Sequence, residues 1–160
     1  MPACGQRCLL YVWGVLLGED KQEAAEEMKF ELAPELDKRV ATIIRALDLG
    51  HVSNKHIICM RSFGSKSRAI ARIWGLPRIW QQALYLNAYY IIEVVSEKFD
   101  KMSKEEQDKT LIHELLHVPK TFSGALVPHE CFGVKIDNRR VDEIYKKYKK
   151  ALEENPHLLI

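Results

Sequence analysis

The run His113-Glu114-Leu115-Leu116-His117 sets two histidines four residues apart, with a glutamate directly after the first. On an α-helix each residue advances about 100°, so His117 returns to within about 40° of His113, while Glu114 stands about 100° from it. Leu111, Ile112, Leu115, Leu116 and Val118 take the remaining arc, where a core-facing stripe would lie. The pattern therefore predicts a helix that offers both imidazoles and the carboxylate from one face. On a helix this combination binds zinc and uses the glutamate as a general base in peptide hydrolysis.

The flanking residues predict the same helix. Ser103-Lys104-Glu105-Glu106 reads as a capping box, with Ser103 at the N-cap and Glu106 reaching back to it. Acidic residues in the first turn suit the positive end of the helix dipole, and Pro119 marks a stop just past His117. Upstream, Tyr89-Tyr90-Ile91-Ile92-Glu93-Val94-Val95 is rich in β-branched and aromatic residues and reads as a strand running toward that helix.

A catalytic zinc site takes three protein ligands and leaves one position open. His113 and His117 supply two, through neutral imidazole nitrogens, and Glu114 stays off the metal as the base. The third must follow His117. The spacing H-E-x-x-H-x-x-G-x-x-H fails, because Lys120 stands where the glycine belongs and Ser123 where the histidine belongs. His129 is the next histidine, on a loop holding Gly124, Pro128 and Gly133, and is the first choice. Glu143, Glu130 and Cys131 are alternatives. His51, His56 and His157 read as surface residues. Arg139, Arg140, Tyr145 and Tyr148 are candidates for stabilising an oxyanion.

Length and composition bound the rest. The chain has 160 residues, 47% hydrophobic and 29% charged, which suits one domain with a real core. Its formal charge of +2 argues neither for nor against nucleic acid, but the charge is unevenly spread. Residues 1–37 carry eight acidic and three basic side chains, whereas Leu49 to Ile92 carry six basic and no acidic ones. Lys55, Arg61, Lys66, Arg68, Arg72 and Arg78, interleaved with Phe63, Trp74 and Trp80 over residues 55–80, could contact a nucleic-acid backbone; aromatics in a core with solvated charges around them is the simpler reading. Cys4, Cys8, Cys59 and Cys131 form no C-x-x-C pair, so neither a zinc ribbon nor a redox motif is indicated, and free thiols in a reducing cytoplasm are expected. The apolar run Leu9 to Leu17 is too short to span a bilayer and lacks a good cleavage site for a signal peptide. No membrane span is expected.

Residues 1–27 read as an extension of uncertain order, acidic and Ala-containing from Glu19 to Glu27, with Met28 as an alternative start. A helix is predicted from Pro34 to Leu49, closed by Gly50; a strand over His56–Arg61; a turn at Phe63–Ser67; a strand rather than a helix over Arg68–Trp74; and a short helix from Pro77 to Leu84 or Leu86. After Pro119 an irregular stretch runs to Lys135, then a polar helix from Asp137 to Glu154 with Val141, Ile144, Tyr145 and Tyr148 on its inner face, and a tail at 155–160. The order of elements predicts an α+β domain over 28–154, with a short mixed or antiparallel sheet packed against the active-site helix and flanking helices.

The stretch from Thr110 to His129, together with Ser62-Phe63-Gly64-Ser65 and Ala71-Arg72-Ile73-Trp74-Gly75-Leu76-Pro77, resembles the metallopeptidases of archaea and phages, a group itself similar to SprT/Spartan-like zincins. The resemblance covers roughly Met28 to Leu152. It implies a small cytoplasmic zincin with one zinc ion, His113, His117 and His129 matching the ligands and Glu114 the catalytic glutamate. Protein or peptide would be the substrate, in the narrower version protein on DNA. A catalytically silent zincin fold that only binds metal or a partner is the alternative, and a hydrolase of non-peptide amides is a third.

Overall fold

The computed structural model describes residues 28–131 and 133–159. The run at 9–17, the acidic segment at 19–27, Cys4 and Cys8 lie outside the described residues, as does the side chain of Cys131. Among the described residues no helix is long and apolar enough to cross a membrane.

The described residues fold as α+β: a four-stranded mixed sheet, five helices and a small hairpin. Strand β1 (Lys29–Leu32) leads into helix α1 (Pro34–Ala46) and strand β2 (Ile57–Phe63). Strand β3 (Ala71–Gly75), the short helix α2 (Arg78–Ala83) and strand β4 (Tyr90–Val95) follow, then α3 (Ser96–Phe99) and α4 (Lys104–Leu116). The hairpin β5 (Glu130–Cys131) and β6 (Val134–Lys135) precedes α5 (Asn138–Glu154). The sheet order is β1-β2-β4-β3. The β2–β4 pair is parallel and both outer pairs are antiparallel, with Cys59 opposite Ile92 and Ile73 opposite Ile92 on its other side.

One face of the sheet makes the core. Cys59, Tyr90, Ile92 and Val94 pack on Leu36, Val40 and Ile43 of α1 and on Leu111, Ile112 and Leu115 of α4, with Val141, Tyr145 and Tyr148 of α5 closing the far side. Burial of this apolar surface is the main source of stability. Polar contacts at the edge of the core tie α1 to its neighbours. Arg39 of α1 donates to Asp108 at 2.5 Å, to Gln107 at 2.7 Å and to the Lys104 carbonyl at 2.8 Å, joining α1 to α4. The Asp37 carboxylate accepts the Cys59 N–H at 2.7 Å, joining α1 to β2.

Several local expectations shift. Helix α1 ends at Ala46, before the expected Leu49, because Asp48 rather than Gly50 takes the left-handed conformation (φ 50). The Leu49 N–H then reaches Ile44 O and the Asp48 N–H reaches Arg45 O, a Schellman closure two residues early. Strand β1 was not expected: Lys29-Phe30-Glu31-Leu32 alternates over four residues only, all four are exposed, and the strand pairs with β2. The stretch read as irregular after Pro119 contains the β5–β6 hairpin, turning at Gly133 (φ 76). The expected tail turns back as a 3-10 turn at Pro156–Leu159, where Arg45 donates to the Leu158 carbonyl at 3.2 Å.

Candidate metal centre

Helix α4 is built as the sequence requires. The Ser103 N–H donates to the Glu106 carboxylate at 2.9 Å and the Glu106 N–H donates to Ser103 Oγ at 3.3 Å, which completes the capping box. Leu111, Ile112, Leu115 and Val118 are buried, so the opposite arc, carrying His113 and His117, faces out of the core. His117 is the C-cap, where Pro119 prevents further turns.

Beyond it the chain loops back and brings His129 over the helix. His113 Nε2 lies 3.2 Å from His129 Nε2 and 3.4 Å from His117 Nε2. The ligand atoms of all three lie within 4.8 Å of one another. A tetrahedral zinc with Zn–N bonds of about 2.0–2.1 Å separates its nitrogens by about 3.3–3.4 Å, so this spacing fits a single ion. His117 Nδ1–H donates to the Val127 carbonyl at 2.6 Å, which leaves Nε2 as the nitrogen with a free lone pair. Val127 had no signature in the sequence, since a backbone acceptor can be any residue.

Desolvation favours the neutral form of the two helix imidazoles. Burial, and then the neighbouring His117 and His129, push the His113 imidazole down to about 4. Burial also lowers His117, against the opposing pull of the Val127 carbonyl. Both are therefore neutral, the ligating form, at ordinary pH. Burial drives Glu114 the other way, up to about 7, while the Ile73 backbone N–H pulls it back.

The trio and Glu114 lie on a cleft of roughly 650 Å³ between edge strand β3 and the loop Leu126–His129. A second hollow of roughly 450 Å³ shares Ala71, His113 and Glu114 and runs between α4 and the first turn of α5, past Lys109, Thr110, Asn138 and Asp142. The β3 ladder decides what strand β3 offers to the cleft. Leu76 N–H bonds Tyr89 O and Val95 N–H bonds Ile70 O, so even-numbered residues of β3 pair with β4. Ala71 and Ile73 therefore turn their backbone N–H and C=O groups outward.

The other candidates lie apart. Glu143 pairs with Arg139 at 3.5 Å and Glu130 with Lys135 at 3.5 Å, both exposed. Arg139 and Arg140 line a separate hollow with Glu143, and Tyr145 and Tyr148 are buried in the core, so none of the four lines either part of the cleft. His51 and His157 stand away from the trio, and His56 packs edge-on against Tyr89. Of the basic stretch, Arg61 is tied to Glu35 and Asp100, each at 2.8 Å, and Arg72 and the Trp74 indole N–H are tied to Glu93 at 3.0 and 2.8 Å. Lys55, Lys66, Arg68, Arg78 and Trp80 remain exposed.

A family model described as "Putative phage metallopeptidase" matches residues 28–153. No curated protein and no solved structure matches the chain.

Proposed function

The chain belongs to this phage metallopeptidase family, and from that premise we propose that it is a zinc-dependent peptidase in which His113, His117 and His129 hold one ion and Glu114 is the general base. The observation that carries the reading is the 3.2 and 3.4 Å spacing of three imidazole nitrogens beside a buried carboxylate on the same helix face. A zinc ion held there would supply Lewis acidity, polarising the scissile carbonyl and making water acidic enough to give up a proton near neutral pH. Glu114 accepts that proton as the water oxygen bonds to the carbonyl carbon. As the C–N bond breaks, the carboxyl returns the proton to the leaving nitrogen. Burial raises Glu114 to about 7, and the charge of a bound ion would draw it back toward the ionised form that accepts the proton.

The outward backbone groups of Ala71 and the Ile73 carbonyl give an extended peptide a strand edge on which to lie, with its scissile bond over His113 and Glu114. A peptide bound there shields Glu114 and the trio from bulk water, which strengthens the electrostatic interactions of the site.

The test combines metal analysis with hydrolysis of an unfolded protein substrate. Wild type and Glu114→Gln are each expected to hold one zinc per chain. Hydrolysis by Glu114→Gln should fall by at least about 10²-fold, the usual contribution of a general base. A Glu114→Gln protein that cleaves as well as wild type would overturn the assignment.

A further inference from the structure

We propose that Tyr90 and Gln81 are positioning residues for the third ligand: they anchor the loop that carries both Val127 and His129. The proposal rests on the zinc reading above. Its evidence lies behind the trio, in contacts that neither metal nor substrate would touch.

Tyr90 is a fully buried residue of β4, a core strand, yet its hydroxyl does not serve the sheet. It accepts the Gly124 N–H at 2.8 Å and donates to the Ala125 carbonyl at 2.9 Å. One phenol thus satisfies two consecutive residues of the loop. The ring also packs edge-on against Phe122, with centroids 5.0 Å apart. From the other side, Gln81 of α2 donates through Nε2 to Leu76 O at 2.7 Å and to Ser123 O at 2.9 Å. Residues 122–125 are therefore held by the sheet and by α2 at once.

The fit leaves no slack. A β-carbon on Gly75 would collide with the Gly124 carbonyl oxygen, and one on Gly124 (φ 87) would collide with the Leu76 carbonyl oxygen and Gln81 Nε2. The loop backbone therefore lies directly against the end of β3. Immediately beyond the anchored residues, Val127 and His117 bond reciprocally: the Val127 N–H donates to His117 O at 2.8 Å, and His117 Nδ1–H donates to Val127 O. Two residues later the chain delivers His129, whose own carbonyl is fixed by the Ile136 N–H at 2.7 Å. Releasing Ser123–Ala125 would free the carbonyl that orients His117 and the backbone that places His129, while the helix bearing His113 stays put.

Tyr90→Phe removes the hydroxyl and keeps the ring; Gln81→Met removes both donated bonds at a half-buried site. Each is read by zinc affinity in competition with a chelator, by the visible spectrum of the cobalt-substituted protein, and by thermal unfolding of the metal-free protein. Both variants should bind zinc about 10–100-fold more weakly, as loss of such outer supports does elsewhere, with an altered cobalt spectrum and a cooperative metal-free transition. Wild-type affinity and spectrum in both variants would overturn the anchor alone. A loss of affinity accompanied by loss of the cooperative metal-free transition in both would reduce the role to general stability and also overturn it. A wild-type protein that binds no zinc would overturn both the anchor and the reading beneath it.

Discussion

Glu114 and His113 meet the same desolvation and answer it in opposite directions, the acid rising to about 7 and the imidazole falling to about 4. In each case the neutral form is favoured, which readies one to exchange protons and the other to ligate. Their spacing was legible in the sequence because a helix converts a four-residue interval into a shared face. His129 had no such periodic signal: it was chosen as the next histidine on a Gly- and Pro-containing loop and by the family resemblance, because its placement depends on a loop with no period. If three imidazoles hold the ion, His129→Ala should leave zinc well below one per chain after dialysis. Glu143→Ala and Glu130→Ala should stay at the wild-type level, because both side chains are exposed and engaged with cations away from the trio. Zinc content measured by atomic absorption separates these outcomes.

Edge strand β3 owes its stiffness to Glu93. This carboxylate, 3% exposed, accepts from Arg72 and from the Trp74 indole, and the Arg72 guanidinium lies 5.8 Å from the Trp74 ring centroid. Two side chains of the strand that lines the cleft are thus clamped from the neighbouring strand. Glu93→Ala should cost about 1.5–3 kcal/mol in denaturant unfolding, the range for losing hydrogen bonds to a charged group. The remaining Arg72 is 32% exposed and can turn to water, which keeps the cost below that of stranding a buried charge. KM for a peptide substrate should rise more than kcat falls, since the change loosens the docking edge rather than Glu114. Strand β3 was read from a loose alternation that favoured strand over helix by a small margin, and its start was set three residues early. Strand β1 was missed because its Lys-Phe-Glu-Leu alternation is only four residues long and buries neither face, and the end of α1 was misplaced because an aspartate did what a glycine was expected to do.

The sheet order β1-β2-β4-β3 places the last strand in sequence between its two predecessors. Periodicity identifies strands and helices one at a time, so the α+β class was legible. The pairing of β2 with β4 depends on contacts between distant segments and leaves no local trace. Helices α1, α4 and α5 pack on the core face, with the loop from Val118 to His129 closing over the end of α4. Metal removal should therefore act on the whole molecule through that loop. With free zinc at 100 times its dissociation constant, the metal-loaded protein should be about 2.7 kcal/mol more stable than the metal-free one. Calorimetry with and without a chelator measures the difference. Hydrogen exchange in the metal-free protein should rise first over residues 118–129, ahead of β2 and β4; uniform exchange would contradict a metal-tied loop.

The contact between Gly75 and Gly124 also bears on inheritance. Every missense change in a glycine codon adds at least a β-carbon, and at each of these positions that carbon strikes backbone. Backbone cannot be trimmed by a second mutation, whichever residue it belongs to. Neither position can drift while the loop keeps its seat. A descendant that abandoned the seat would be free to change both, so the two glycines should be found together or lost together across the lineage.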